Sequence, residues 1–255
     1  MDDGSVEPHT SIAAGAVAGL PNARLLRRVN AGPAAARNSG WQAARGQLIA
    51  FLDDDCAPAE DWLSCLSEAL ERSGPDVGAV GGAVLPAPST NWASRFCAAV
   101  EYATGTQPIF ENASTQNACY RRAVLEEVGG FDEGFRHPGG DDPDLSLRTR
   151  EAGYRLVFVP QAVVFHKGFE TYREFLTHYY HRGIGEARAG RKAGRRPRVV
   201  ARVVLAPIFI ARTSRICWRA TTGKGSVGIR LVWLVLEAAG RLAFLVGSAR
   251  GVFSA

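Results

Sequence analysis

The feature that most restricts this chain is a largely apolar run, Gln47 to Leu52 (QLIAFL), that ends directly in three aspartates, Asp53, Asp54 and Asp55. A run of this length and composition reads as a buried strand, and such strands belong to a sheet covered on both faces. Carboxylates delivered at the C-terminal end of such a strand fall where open α/β sheets place their ligands. Three adjacent like charges raise one another's pKa unless a cation compensates. In an extended segment Asp53 and Asp55 point to one side and Asp54 to the other. Two acids on one side suit a hard divalent ion, Mg2+ or Mn2+, that also holds substrate phosphate. The competing reading, for Asp55 alone, is a cap on the next helix.

The flanking text has a β-α-β rhythm. A strand-like LLRRV is followed by a Gly/Pro turn from Asn30 to Pro33 and a small-residue helix from Ala34 to Ala44. Pro58 opens an amphipathic helix with Leu63, Leu66 and Leu70 on one face, stopping at Gly74. VGAVGGAVL reads as a further buried strand, and RLVFVP and AVVFH as two short apolar runs behind the helix LSLRTREAG. Helices alternating with strands predict an α/β fold with a mostly parallel sheet.

A second acidic group, GGDDPDLSLR, sets Asp141, Asp142 and Asp144 at the mouth of that last helix. Acids are favoured at a helix N-terminus, so Asp144 reads equally as a cap. A carboxylate in a Gly-rich loop also suits a general base, provided it reaches the proton it must take.

In order along the chain, MDDGS, NAGPAAARNSGWQAARGQLIAFLDDDCAP, VGGFDEGF and GGDDPDLSLRTREAGYRLVFVPQAVVFH resemble the family 2 glycosyltransferases and their GT-A type nucleotide-sugar-binding fold. The resemblance covers roughly residues 1–170, taken as the catalytic domain, with 171–255 as a basic linker and membrane-associated helices. It implies an inverting, metal-dependent transferase moving sugar from a UDP- or dTDP-sugar to a lipid-linked or polysaccharide acceptor of the cell envelope. By the resemblance, Asp55, with Asp53 and His166, falls on metal-binding positions. Asp53, Asp54, Asp3, Asp2, Arg37 and Asn38 fall on nucleotide-sugar-binding ones. Asp141 and Asp142 match the catalytic acid pair, Asp142 being the base that deprotonates the acceptor hydroxyl, and Asn117 and Arg121 lie on a segment that resembles the acceptor-side loop and reads equally as a polar surface turn. His166 reads equally as structural. The family's usual opening strand, turn and helix lie upstream of the MDDGS position, so the reading places the true start before Met1. The alternatives are a catalytically inactive remnant or binding module, and a nucleotide transferase on a similar scaffold.

Charge divides the chain. Residues 1–178 carry a net −8 and residues 179–255 a net +13. Arg182 to Arg202 hold eight Arg/Lys against one acid, Glu186, beside apolar stretches at VVARVVLAPIFIA and IRLVWLVLEAAGRLAFLVG. Basic residues next to apolar segments are drawn to anionic lipid head groups by about 1 kcal/mol each. No nucleic-acid-binding motif accompanies them. Charges interrupt both stretches, which favours helices lying in the interface over clean spans. This places the chain at the cytoplasmic face of a membrane, with a helical subdomain packed on the catalytic body as the rival reading. Five scattered cysteines suggest neither a disulfide framework nor a zinc site.

Overall fold

The computed structural model describes residues 1–89, 111–194 and 227–253. In chain order the elements are α1 (His9–Val17), α2 (Pro33–Ala43), β1 (Leu48–Phe51), β2 (Cys56–Pro58), α3 (Trp62–Arg72), β3 (Val77–Pro86), β4 (Ala118–Arg121), α4 (Arg122–Val128), α5 (Asp141–Glu151), β5 (Arg155–His166), α6 (Tyr172–Lys192) and α7 (Val227–Phe253). VVARVVLAPIFIA, the second half of the basic run, Cys97 and Cys217 lie outside the described residues.

The five strands form one sheet in the order β1-β4-β3-β5-β2. Here the expectation of a mostly parallel sheet is corrected. Only β3 and β5 run parallel, whereas β1 with β4, β3 with β4 and β2 with β5 are antiparallel. The sheet is mixed because two short strands, CAP and ACYR, are threaded in against the prevailing direction. Both are too short to show a period. LLRRV contributes a single bridge, Arg27 with Asp2. RLVFVP and AVVFH are one strand, interrupted where the register with β3 slips between Gly82 and Ala83 and residues 160–162 loop out.

Alternation along the strands fills both faces. Ile49, Phe51, Ala79 and Tyr120 pack with Trp41, Phe131 and Leu145 on one side. Val77, Val80, Cys119 and Val164 pack against Trp62, Leu66 and Leu70 of α3 on the other. The buried face of α3 is therefore Trp62, Leu66 and Leu70, four residues apart, and Leu63 lies outside it at 54% exposure. Burying Leu66 and Leu70 contributes roughly 1.5–3 kcal/mol each.

The C-terminal helices α6 and α7 pack on each other through glycines. A Cβ at Gly183 would strike the Phe244 backbone, and one at Gly247 that of Tyr180. Helix α6 also seats on the loop before α5, where Gly185 meets Gly139 and Gly140 backbone to backbone. No described helix is long and apolar enough to cross a membrane.

Candidate functional site

Strand β1 stops at Phe51, and Asp54 and Asp55 lie in a turn. The alternation expected of an extended run therefore does not apply, and the two carboxylates expected together serve different clusters. Asp54 is exposed.

The first cluster is gathered around Arg37 of α2. Its guanidinium donates to Asp141 Oδ2 at 2.6 Å and to Asp53 Oδ1 at 2.8 Å. Burial opposes the charge of Arg37, but Asp142, Asp53 and Asp141 outweigh it and hold its pKa above the ordinary value. Asp142, one residue into α5, is anchored on one oxygen. Its Oδ2 accepts from Thr115 N at 3.1 Å and from the Ser114 and Thr115 hydroxyls at 3.2 Å. Its other oxygen, Oδ1, is buried without a hydrogen-bond partner among the described residues. Burial, reinforced by Asp141, raises the Asp142 carboxyl from 3.8 to about 7. Burial also raises Asp141, against the pull of Arg37. Asp144 is no cap: it pairs with Arg148 at 2.8 Å and with Lys192 of α6 at 2.7 Å.

The second cluster joins β2 to the end of β5. Cys56 and His166 are register partners, and His166 Nε2 lies 3.1 Å from Asp55 Oδ2. Gly168 N donates to His166 Nδ1 at 3.3 Å, which leaves the proton on Nε2 to donate to Asp55. That hydrogen bond holds the Asp55 carboxyl below its ordinary value, against burial. Ligand atoms of Asp55, Cys56 and His166 fall within 4.8 Å of one another. Burial, with Asp55 alongside, pushes the Cys56 thiol up to about 12, so it stays protonated and is a poor ligand. The usable donors are the Asp55 carboxylate and the His166 imidazole, which would bind through Nε2 once its proton moves to Nδ1 in place of the Gly168 contact. A hard-to-borderline divalent ion fits that set, completed by ligands from outside the protein.

The remaining sequence candidates make hydrogen bonds that shape the surrounding loops. Asp3 accepts from the Ala31 and Gly32 amides at 3.1 and 2.7 Å, fixing the turn that opens α2. Asp2 holds Ser5 N at 2.8 Å and pairs with Arg27 at 3.4 Å. Asn38 clips α2 to the next loop, accepting from Phe131 N and Trp41 Nε1 and donating to Phe131 O and Glu133. Asn117 accepts from Trp62 Nε1 at 2.8 Å and donates to the Ala83 and Ala162 carbonyls at 2.9 and 2.8 Å. Arg121 donates to the Leu70, Ser73 and Val77 carbonyls, closing the end of α3. Sequence reasoning missed Thr115 and Ser114, because a hydroxyl in a loop has no periodic signature.

A family model described as Glycosyl transferase family 2 matches residues 1–129. Over 165 residues the chain is 29% identical to the glucosyl-dolichyl phosphate glucuronosyltransferase of Haloferax volcanii, covering 57% of this chain and 51% of that one. Over 145 residues it is 33% identical to the pre-mycofactocin glycosyltransferase of Mycobacterium tuberculosis, covering 53% and 30% respectively. The chain thus spans about half or less of the length of these relatives. Among solved structures, the mannosyltransferase PcManGT from Pyrobaculum calidifontis, in complex with GDP-Man and Mn2+, is similar with a TM-score of 0.61 at 20% identity, over 99% of this chain and 76% of that one. GalNAc-T7 with UDP, GalNAc and Mn2+ is similar with a TM-score of 0.52 at 16% identity, over 73% and 43%.

Proposed function

Because this chain belongs to glycosyl transferase family 2, with a GT-A type fold built on a mixed sheet, we propose that it transfers a glycosyl group from a UDP- or dTDP-sugar to a lipid-linked or cell-envelope acceptor, with inversion. The observation that carries the reading is Asp142, a partly buried carboxylate with one oxygen tethered by Thr115 and Ser114 and the other unpartnered among the described residues. A carboxylate held near 7 is matched to accepting a proton at neutral pH. In this mechanism the Asp142 carboxylate takes the acceptor hydroxyl proton as the acceptor oxygen attacks the anomeric carbon and the nucleotide diphosphate leaves. Arg37 stays protonated and keeps Asp53 and Asp141 from repelling the base.

Asp55 and His166 would hold a divalent ion, Mg2+ or Mn2+, whose chemistry is to neutralise charge on the departing diphosphate. Two similar proteins were solved with Mn2+ and a nucleotide or nucleotide-sugar. A lipid-linked acceptor is favoured by the Haloferax relative, which acts on a glucosyl-dolichyl phosphate, and by the +13 of residues 179–255. The same tail supports association with an anionic membrane surface at its cytoplasmic face. The division into a catalytic domain over 1–170 and a tail over 171–255 belongs to the same proposal.

The test is Asp142→Asn, which keeps the shape and removes the base. Nucleotide release in the presence of acceptor should fall by about 100-fold or more, the usual worth of a general base, while calorimetric binding of UDP with Mn2+ is retained. Full activity of the variant would refute the mechanism.

A further inference from the structure

Between the loop Gly134 to His137 and the two C-terminal helices lies a cavity of about 430 Å³, within the range of small-molecule sites. Four guanidinium-bearing residues, Arg136, Arg188, Arg191 and Arg250, line it, together with His137 and His181. No carboxylate is among the described lining residues. The acids closest by are paired: Asp144 with Arg148 at 2.8 Å and Lys192 at 2.7 Å, and Asp132 with Lys192 at 2.7 Å and, at 3.9 Å, with the lining Arg188 itself. Arg188 lies over the Phe135 ring at 5.1 Å, and its Nε is buried without a hydrogen-bond partner among the described residues. Arg250 is braced by donating to the Tyr180 hydroxyl at 2.7 Å. His137 and His181 stack in parallel at 4.4 Å. Burial, with His137 and Arg250 alongside, keeps His181 below its ordinary pKa. Several guanidinium forks around one concave space match a phosphate or diphosphate, whose oxygens they bind in pairs.

Two further observations say what carries the phosphate. The lining loop runs within a few residues into Gly140, Asp141 and Asp142, and the wall residue Gly185 touches Gly139 and Gly140. The cavity therefore adjoins the acidic cluster through one short stretch of backbone. On α7, Val235, Leu242 and Val246 are exposed at 69%, 59% and 53%. Their spacing of seven and four residues puts them on one helical stripe, and Arg250, four residues further on, ends that stripe at the cavity.

We infer that this cavity holds the phosphate of a lipid-phosphate acceptor, whose hydrocarbon chain lies along the Val235, Leu242 and Val246 stripe of α7. The inference rests on the transferase reading above and names its acceptor class and the place where the acceptor is gripped. The base and the phosphate grip then sit on opposite ends of one loop, so the hydroxyl presented to Asp142 belongs to a sugar carried on that lipid phosphate.

Arg136 and Arg250 are exposed, so Arg136→Gln with Arg250→Gln removes two charges without opening the core. The test is sedimentation of the full chain with phosphatidylcholine vesicles containing either a polyprenyl monophosphate or an equal fraction of phosphatidylserine. In parallel, inorganic pyrophosphate is titrated in EDTA, which silences a metal-dependent donor site. The parent should prefer the polyprenyl phosphate vesicles, and the double variant should lose about tenfold in affinity per guanidinium removed, for both vesicles and pyrophosphate. Loss of pyrophosphate binding in the variant, with no vesicle preference in the parent, would overturn the lipid and assign a soluble phosphate. Equal binding by parent and variant in both arms would overturn the site. Binding of UDP with Mn2+ is the separate readout: its absence in the parent would count against the donor reading and leave the phosphate result standing.

Discussion

Replacing Asp142 by Asn should stabilise the metal-free protein, and more so at higher pH. A folded-state pKa of about 7 against an ordinary 3.8 means that folding binds the proton more tightly. The folded state is then most favoured below the unfolded value, and stability is lost as pH rises from near 4 through 7. At about 1.36 kcal/mol per tenfold in proton affinity, the penalty approaches ~4 kcal/mol above pH 7 and is ~2 kcal/mol at pH 5. Asn is neutral throughout, so it removes that slope. Its carbonyl can keep the bonds from Thr115 and Ser114, and the absent charge also relieves Asp141. The gain in the variant should therefore be greater at pH 8 than at pH 5 by roughly 2–3 kcal/mol, or about 5–10 °C in Tm. Thermal denaturation of parent and variant in EDTA at both pH values measures it. A variant less stable than the parent at pH 8, or a gain independent of pH, would refute the reasoning and mean that Asp142 is satisfied in the folded chain.

Three other outcomes follow from the same geometry. Asp55→Ala should weaken UDP binding in Mn2+ by about 10-fold or more, through loss of a metal ligand, while binding without metal is unchanged; calorimetry with and without Mn2+ separates the two. Arg37→Met leaves Asp53, Asp141 and Asp142 without their shared cation and should cost about 3–5 kcal/mol by urea denaturation at pH 8, less at pH 5, where the raised carboxyls begin to take up protons. Asn117→Ala strands Trp62 Nε1 and two carbonyls at about 1–3 kcal/mol each, so stability should fall by more than 3 kcal/mol while the acceptor KM of the folded fraction stays put; a raised KM at unchanged stability would restore Asn117 to the acceptor side.

What the sequence could show depended on how each residue type announces itself. β1, β3 and their sheet were legible because QLIAFL and VGAVGGAVL are long apolar runs, and α2 because small residues follow a Gly-Pro start. The direction of the sheet was not, because CAP and ACYR are three and four residues long and carry no period. The acids were legible as clusters but not as partners. Their grouping depends on where the chain turns after Phe51, and that turn separates Asp53, which faces Arg37, from Asp55, which faces His166. Asn117 and Arg121 sit in the expected loop, yet their hydrogen-bonding capacity goes to backbone carbonyls and an indole, partners that only the fold brings near. The charge of the tail was plain. Its seat on the body was not, since it is made by glycines, which look the same in a sequence whether they bend the chain or let two backbones touch.

That glycine seat has a mechanical consequence. Where Gly185 of α6 meets Gly139 and Gly140, nothing stands between helix and loop that could rotate out of the way. Side chains absorb small displacements by changing rotamer, whereas backbone against backbone has no such play. A shift of α6 would therefore pass directly to backbone two residues before Asp142. The carboxylate is held from the other side by Thr115 and Ser114, so its aim is set jointly by the helix and by that loop.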